Sequence, residues 1–274
     1  MIRIAALGWL ALLVAAPLLV VLVIAFAVPA EGLPPFTLPW LADAPNESWA
    51  VLVADGFFLG ALLRSLWLAL VTASLCVMLA YPMALGILRA TPRLRPWLLG
   101  LCVLPFAVGF VLRMGAWIGL LRDSGLLNRM LIASGLIETP WPLLHAWPAL
   151  LAGMLHSYLP FALLPLYAAL SARDRAAEEA AADLGAGPFT VFRTVTLPLS
   201  AASAAAAFLL VFIPAAGEFV VPELLGPADA LLAGRAIWQE FFQSRDWPLA
   251  AAASVALLGG LLAPIILWQR LQRS

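Results

Sequence analysis

The sequence predicts an all-α integral membrane protein of about six transmembrane helices, and three observations carry that prediction. Of its 274 residues, 64% are hydrophobic and 11% are charged, against about 25% charged in an ordinary soluble domain. A chain this apolar cannot cover its own surface with polar groups, so part of its solvent must be lipid. Second, the apolar residues form continuous runs long enough to cross a hydrocarbon core roughly 30 Å thick, which takes about 20 helical residues. Third, the runs are rich in Leu and Ala and lack the polar/apolar alternation over about ten residues that a membrane barrel strand requires. Helices also satisfy every backbone group internally, as lipid demands.

The first helix is predicted over 4–28. A cleavable leader is the competing reading, with Val28-Pro29-Ala30 as its cleavage site. The run of 25 residues exceeds the roughly 7–15 of a leader's apolar region, which favours a retained helix. The second helix covers 60–88, its charge-free part extending from Ser65 to Leu88 behind Arg64. The third, 97–121, contains Arg113. The fourth, 147–170, lies within the charge-free stretch from Thr139 to Ala172. The fifth, 194–217, ends at Glu218, and the sixth covers 247–269. Pro82, Pro105, Pro160, Pro165, Pro214 and Pro264 fall within or near these runs and predict kinks of the kind packed helices tolerate. Cys76 and Cys102 sit inside apolar runs and are read as small hydrophobes. The whole chain, 1–274, is read as one membrane domain.

Arginine sets the predicted orientation, because cytoplasmic loops retain positive charge. With the N-terminus cytoplasmic, the inner segments hold nine Arg: Arg3; Arg89, Arg93 and Arg95; Arg173, Arg175 and Arg193; Arg270 and Arg273. The outer loops hold four, namely Arg122, Arg129, Arg235 and Arg245. Both termini are therefore expected on the cytoplasmic side, in keeping with six crossings.

The chain contains no Lys. A phosphate-binding loop of the Gly-x-x-x-x-Gly-Lys type, whose Lys reaches the β- and γ-phosphates, cannot exist here. Energy from ATP would have to come from another polypeptide. No nucleophile–base grouping points to an enzyme, so no catalytic residue is assigned. His145 and His156 lack metal-ligand spacing, so no metal site is assigned. The Arg residues flank membrane runs rather than forming a nucleic-acid patch.

One cytoplasmic segment differs from the rest. From 171 to 198 the chain is Ala-rich and dense in charge, with Arg173, Asp174, Arg175, Glu178, Glu179, Asp183 and Arg193. Asp174 to Leu184 predicts a short helix, Gly185 can stop it at positive φ, and Pro188 can open a second helix. Such a helix–glycine–helix element has the shape to fit a groove in another protein.

The spacing also matches a family pattern. Glu179-Ala180-Ala181, three residues, Gly185, nine residues, then Val195-x-Leu197-Pro198 resembles the EAA loop of ABC importer permeases, with Val195 replacing the usual Ile. Gly217-Glu-Phe-Val-Val-Pro-Glu-Leu-Leu-Gly226, Gly234-Arg-Ala-Ile-Trp-Gln-Glu-Phe-Phe242, Arg245-Asp-Trp-Pro248, Arg113-Met-Gly-Ala-Trp117 and Gly125-Leu-Leu-Asn128 resemble the spermidine/putrescine-type members, especially first permease subunits of putrescine importers. The resemblance covers roughly residues 60 to 270.

It implies a type I ABC importer permease bundle in a bacterial inner membrane, with a second homologous permease, two ATP-binding subunits and a periplasmic solute-binding protein as partners. Lipid surrounds it and no nucleic acid is involved. No cofactor is implied on this chain, since the partner ATPase uses ATP and Mg. Glu179, Ala180, Ala181, Gly185, Leu197 and Pro198 are implied to couple the bundle to the ATPase by alternating access.

For the solute path, Glu218, Glu223, Trp238 and Glu240 are the candidates, with Asp246 and Phe241 nearby. Polyamines are polycations, and carboxylates beside aromatic rings attract them by charge and cation–π contact. Pairing of these acids with Arg235, Arg245 or a partner permease is the competing role. Within the same class, another organic cation, an opine-like solute or ferric iron are alternative cargoes. An ATP-independent secondary transporter is the rival class, expected to show inverted repeats and mid-helix charges.

Overall fold

The computed structural model describes residues 8–174 and 176–273. Arg3, Arg175 and positions 4–7 of the first predicted helix lie outside the described residues, as does the side chain of Pro264. In chain order the elements are α1 (Gly8–Ile24), strands β1 (Val28–Pro29) and β2 (Phe36–Thr37), α2 (Ser48–Ala54), α3 (Gly56–Arg89), α4 (Arg95–Ala107), α5 (Phe110–Leu121), α6 (Leu126–Ala133), α7 (Trp147–Ala172) and α8 (Ala176–Asp183). Then come α9 (Pro188–Ala216), α10 (Val220–Leu225), α11 (Ala233–Gln239) and α12 (Trp247–Arg273).

Among the described residues three helices, α3, α7 and α9, are long and apolar enough to cross a membrane. A fourth crossing is counted if α4 and the helices following it form one bent span. α1 and the Trp247–Leu262 part of α12 are shorter apolar helices. The chain passes helically through Pro82, Pro160, Pro165 and Pro214.

The run 97–121, expected as one continuous helix, is two helices. The backbone turns extended at Val108 and Gly109, and Arg95–Ala107 meets Phe110–Ala133 at 93°. Two features account for the break. Pro105 has no amide to bond the preceding turn, which weakens the end of α4. The Arg113 guanidinium, costly in hydrocarbon, lies 4.6 Å from the Phe106 ring centre and 5.6 Å from that of Phe110, one ring on each side of the bend. The aromatic faces supply the attraction that lipid cannot.

The chain forms two compact units. One contains the stretch ending at Trp67, Ala216–Val220 and the stretch from Asp229 onward; the other contains Leu68–Ala215 and Val221–Ala228. In the first, α12 packs against α1, α2 and α11. Asn46 Nδ2 donates to the carbonyls of Ala25 and Ala27, while its Oδ1 accepts from the Ser48 amide at 3.1 Å, tying the end of α1 to the start of α2. Ser65 Oγ, on α3, accepts the Ala233 amide at 2.8 Å. One of the unpaired donors at the start of α11 is thereby satisfied in a buried setting.

In the second unit Arg95 caps α3, donating from Nη2 to the Leu88 carbonyl at 2.8 Å and from Nε to that of Ala90 at 3.1 Å. A cation at a helix C-terminus also complements the backbone dipole. α7 meets α10 closely: a methyl on Gly153 would run into Leu225 Cδ1 and come within 3.0 Å of Val221 Cγ1. Cys76 is fully buried, whereas Cys102 is half-buried, more open than its apolar run implied.

Candidate functional site

The charged segment 171–198 forms a hairpin within the second unit. Asp174 Oδ1 accepts the Ala176 amide at 3.0 Å and so caps α8. At the other end the Gly185 amide donates to the Ala182 carbonyl at 2.9 Å and the Ala186 amide to that of Ala181 at 3.1 Å. This pair of bonds is the Schellman closure, which requires a left-handed residue between them; Gly185 supplies it with φ +84°. Pro188 then opens α9, where its missing N–H costs nothing.

The first turns of α9 widen into a π-helical turn at Phe192–Thr196. Such turns are rare and recur at functional places. Here the turn is braced by Tyr81 of α3, which meets the Phe192 ring edge-on at 5.5 Å. Tyr81 also shares a 2.9 Å hydrogen bond with Ser200 Oγ. Ser200 gives its own proton to the Thr196 carbonyl at 2.6 Å, so Tyr81 is the donor.

Glu179, Ala180 and Gly185 are exposed, and Ala181 is half-buried. Leu184 is 89% and Phe189 75% exposed, one on each side of the glycine turn. Leu197 and Pro198 are also exposed. The hairpin therefore offers two large apolar side chains and a carboxylate outward. Behind it, Leu85, Arg89, Arg173, Glu178, Pro188 and Thr196 border a cavity of about 290 Å³.

The solute-path candidates divide between the units. Glu218, Trp238 and Glu240 belong to the first and Glu223 to the second. Glu218 is half-buried, and one carboxylate oxygen accepts the Val220 amide at 2.9 Å, at the start of α10. Phe219 stacks on Trp238 at 6.3 Å, and Trp238 is 5.5 Å from Phe242. Phe242 meets Phe241 at 4.9 Å, and Phe241 stacks on Trp247 at 4.7 Å. Glu218 and Trp238 thus stand at one end of a row of rings, with Glu240 half-buried beside it in the π-helical turn that extends α11. Asp246 caps α12, accepting the Leu249 amide at 2.9 Å. Glu223 is exposed in the first turn of α10.

Comparison with known proteins gives one consistent picture. Residues 2–268 match the family described as binding-protein-dependent transport system inner membrane component. The chain belongs to this family. The permease is 36% identical over 91% of its length to the spermidine/putrescine transport system permease protein PotB of Haemophilus influenzae, covering 85% of that protein. It is also 36% identical over 74% of its length to PotB of Escherichia coli, covering 74% of it. Among solved structures it resembles a bacterial ABC transporter involved in import of the acidic polysaccharide alginate, with TM-score 0.74 and 19% identity over 99% of this chain and 93% of that one. A structure of a bacterial alginate ABC transporter in complex with an alginate pentasaccharide-bound periplasmic protein gives TM-score 0.72 at 17% identity, over 97% and 90% of the two chains. The permease accordingly has the fold of an ABC importer permease and is a multi-pass membrane protein.

Sequence reasoning about this permease passed over Glu178 in favour of its neighbour. Glu178 is the carboxylate that the fold engages: Arg173 Nη2 reaches its Oε1 at 2.8 Å, and Thr196 Oγ1 donates to the same oxygen. The available signal was helical spacing, since Glu178 and Ala182, four residues apart, share the face of α8 that borders the cavity. Asn128, noted only as part of a motif, proves fully buried and hydrogen-bonded.

Proposed function

We propose that this permease forms the translocation path for a polyamine such as putrescine or spermidine in an ATP-driven importer of the bacterial inner membrane. It pairs with a second, homologous permease. Two separate ATP-binding subunits hydrolyse ATP with Mg and seat the 171–198 hairpin, and a periplasmic binding protein delivers the solute. Both termini lie on the cytoplasmic side. The observation that carries the solute is the 36% identity to spermidine/putrescine permeases over most of the chain. Support for the coupling role comes from the exposed Leu184 and Phe189 astride the Gly185 turn, because apolar side chains held on a rigid turn are what a groove in a soluble subunit can bury.

Binding of ATP draws the two ATPase subunits together, carries the hairpins with them and opens the bundle outward; hydrolysis returns it inward. The solute enters past Glu218, Trp238 and Glu240, and Glu223 is a further candidate for contact with it. A row of rings interleaved with carboxylates binds ammonium groups weakly and repeatedly, which suits passage better than a single tight site.

Purification in mild detergent and reconstitution test the proposal. An ATPase subunit stays bound, and vesicles supplied with ATP and binding protein take up labelled putrescine. Uptake driven by an ion gradient without ATP overturns the importer reading. ATP-driven uptake of ferric iron or an opine, with none of putrescine, overturns the solute.

A further inference from the structure

We infer that Glu178 is the positioning residue that makes the coupling hairpin rigid, by latching α8 both to the chain entering it and to the root of α9. The inference rests on the coupling role proposed above for the hairpin. Two groups meet at one carboxylate oxygen. Arg173, in the link between α7 and α8, reaches Glu178 Oε1 at 2.8 Å. Thr196, buried to 3% exposure in the π-helical turn, donates its hydroxyl to that oxygen. The Arg173 and Glu178 side chains are 15% and 19% exposed, so water screens the pair little.

From Thr196 the chain of polar contacts continues inward. The Thr196 carbonyl accepts from Ser200, and Ser200 accepts from Tyr81 on α3. Arg173, Glu178, Thr196, Ser200 and Tyr81 therefore link the hairpin to two membrane-crossing helices through hydrogen bonds. Hydrogen bonds of this kind tie their partners more strongly when an ionised group takes part and water is scarce. The π-helical turn is essential to the geometry. Widening the helix by one residue per turn shifts the side chains that follow it, and Thr196 is the residue of that turn which meets Glu178.

A hairpin seated in an ATPase groove passes on a displacement only if it moves as one body with α9. Without the latch, α8 hangs on the backbone before it and on the Gly185 turn, and the ATPase can shift it without shifting the bundle. Glu179, one residue on and exposed, faces the partner; Glu178 faces the permease's own helices.

The test uses the complete importer, reconstituted with its ATPase, second permease and binding protein, and measures ATP hydrolysis and putrescine uptake together. Glu178→Ala keeps the ATPase bound and hydrolysis within about twofold, while uptake per ATP falls about tenfold, inside the roughly 5–150-fold span of ordinary coupling energies. Thr196→Val, nearly isosteric, lowers uptake per ATP in the same direction by a smaller factor, and Glu178→Asp recovers part of the loss. Normal uptake per ATP in Glu178→Ala overturns the latch, and so does loss of the bound ATPase, which would make Glu178 a docking or folding residue. Failure of the unmodified permease to retain an ATPase is a different result, and it overturns the coupling reading itself.

Discussion

Asn128 and Trp141 exchange two hydrogen bonds across the loop that follows α6. Asn128 Nδ2 donates to the Trp141 carbonyl at 3.0 Å, and the Trp141 amide donates to Asn128 Oδ1 at 2.9 Å. The side-chain amide takes the place a second strand would have, and it is fully buried. Replacement by Asp puts an acceptor opposite the Trp141 carbonyl, and by Ala leaves two backbone groups without partners. Each buried group left unsatisfied costs about 1–3 kcal/mol. Thermal unfolding in detergent is expected to show Asn128→Asp and Asn128→Ala clearly less stable than the unmodified protein, with Asp the worse. An unchanged melting temperature for Asn128→Asp would mean that the pair contributes nothing.

The Gly185 turn makes a sharper prediction because its backbone needs positive φ. A β-branched residue there is strained by roughly 1–2 kcal/mol or more in the left-handed region. Gly185→Val is expected to open the hairpin and reduce ATPase retention in detergent several-fold, with Gly185→Asn milder. Gly187, two residues on, has φ −67°, and a methyl group placed on it would meet nothing within 4 Å. Gly187→Ala therefore serves as the control and retains the ATPase. Equal retention by Gly185→Val and Gly187→Ala removes the turn from the coupling argument.

How much of this could be read beforehand depended on whether the cause was local. Hydropathy is local, so the membrane class and the long apolar helices α3, α7 and α9 are legible from composition and run length. Glycine followed by proline is likewise a local stop and start. The break at Val108–Gly109 is not, because it depends on where Arg113 finds aromatic faces after folding. The distinction between Glu178 and Glu179 is lost in sequence for the same reason: only the packing of α8 against Thr196, 18 residues later, decides which one turns inward. Asp246, named beside the solute-path candidates for its charge, also caps α12, three residues before Leu249.

The carboxylates of the 218–240 stretch separate by the same logic. Glu218 adjoins Phe219, which stacks on Trp238. Glu218→Gln keeps an acceptor for the Val220 amide and removes the charge. Uptake of labelled putrescine by the reconstituted importer is expected to show KM raised about tenfold, as loss of one charge-assisted contact of about 1.5 kcal/mol implies. Trp238→Leu raises KM as well, and Glu240→Gln does so less. Normal KM in both Glu218→Gln and Trp238→Leu removes this corner from the solute path.

Gly234 gives the last prediction, because it presses on the backbone that carries Glu218. A methyl group on Gly234 would lie 2.6 Å from the Gly217 carbonyl oxygen and 3.0 Å from that of Glu218. Neither is a flexible side chain, so α11 or the 217–218 segment must move. Overpacking of this kind costs about 1–3 kcal/mol. Gly234→Ala is expected to lower the melting temperature in detergent and, by displacing Glu218, to raise the KM for putrescine together with it. Gly259, in α12, has nothing within 4 Å of the same position. There the change to Ala brings only the helix-propensity gain of up to about 1 kcal/mol, so Gly259→Ala should be neutral or stabilising with KM unchanged. A Gly234→Ala protein that melts early but transports with normal KM would separate the fold of this corner from solute binding.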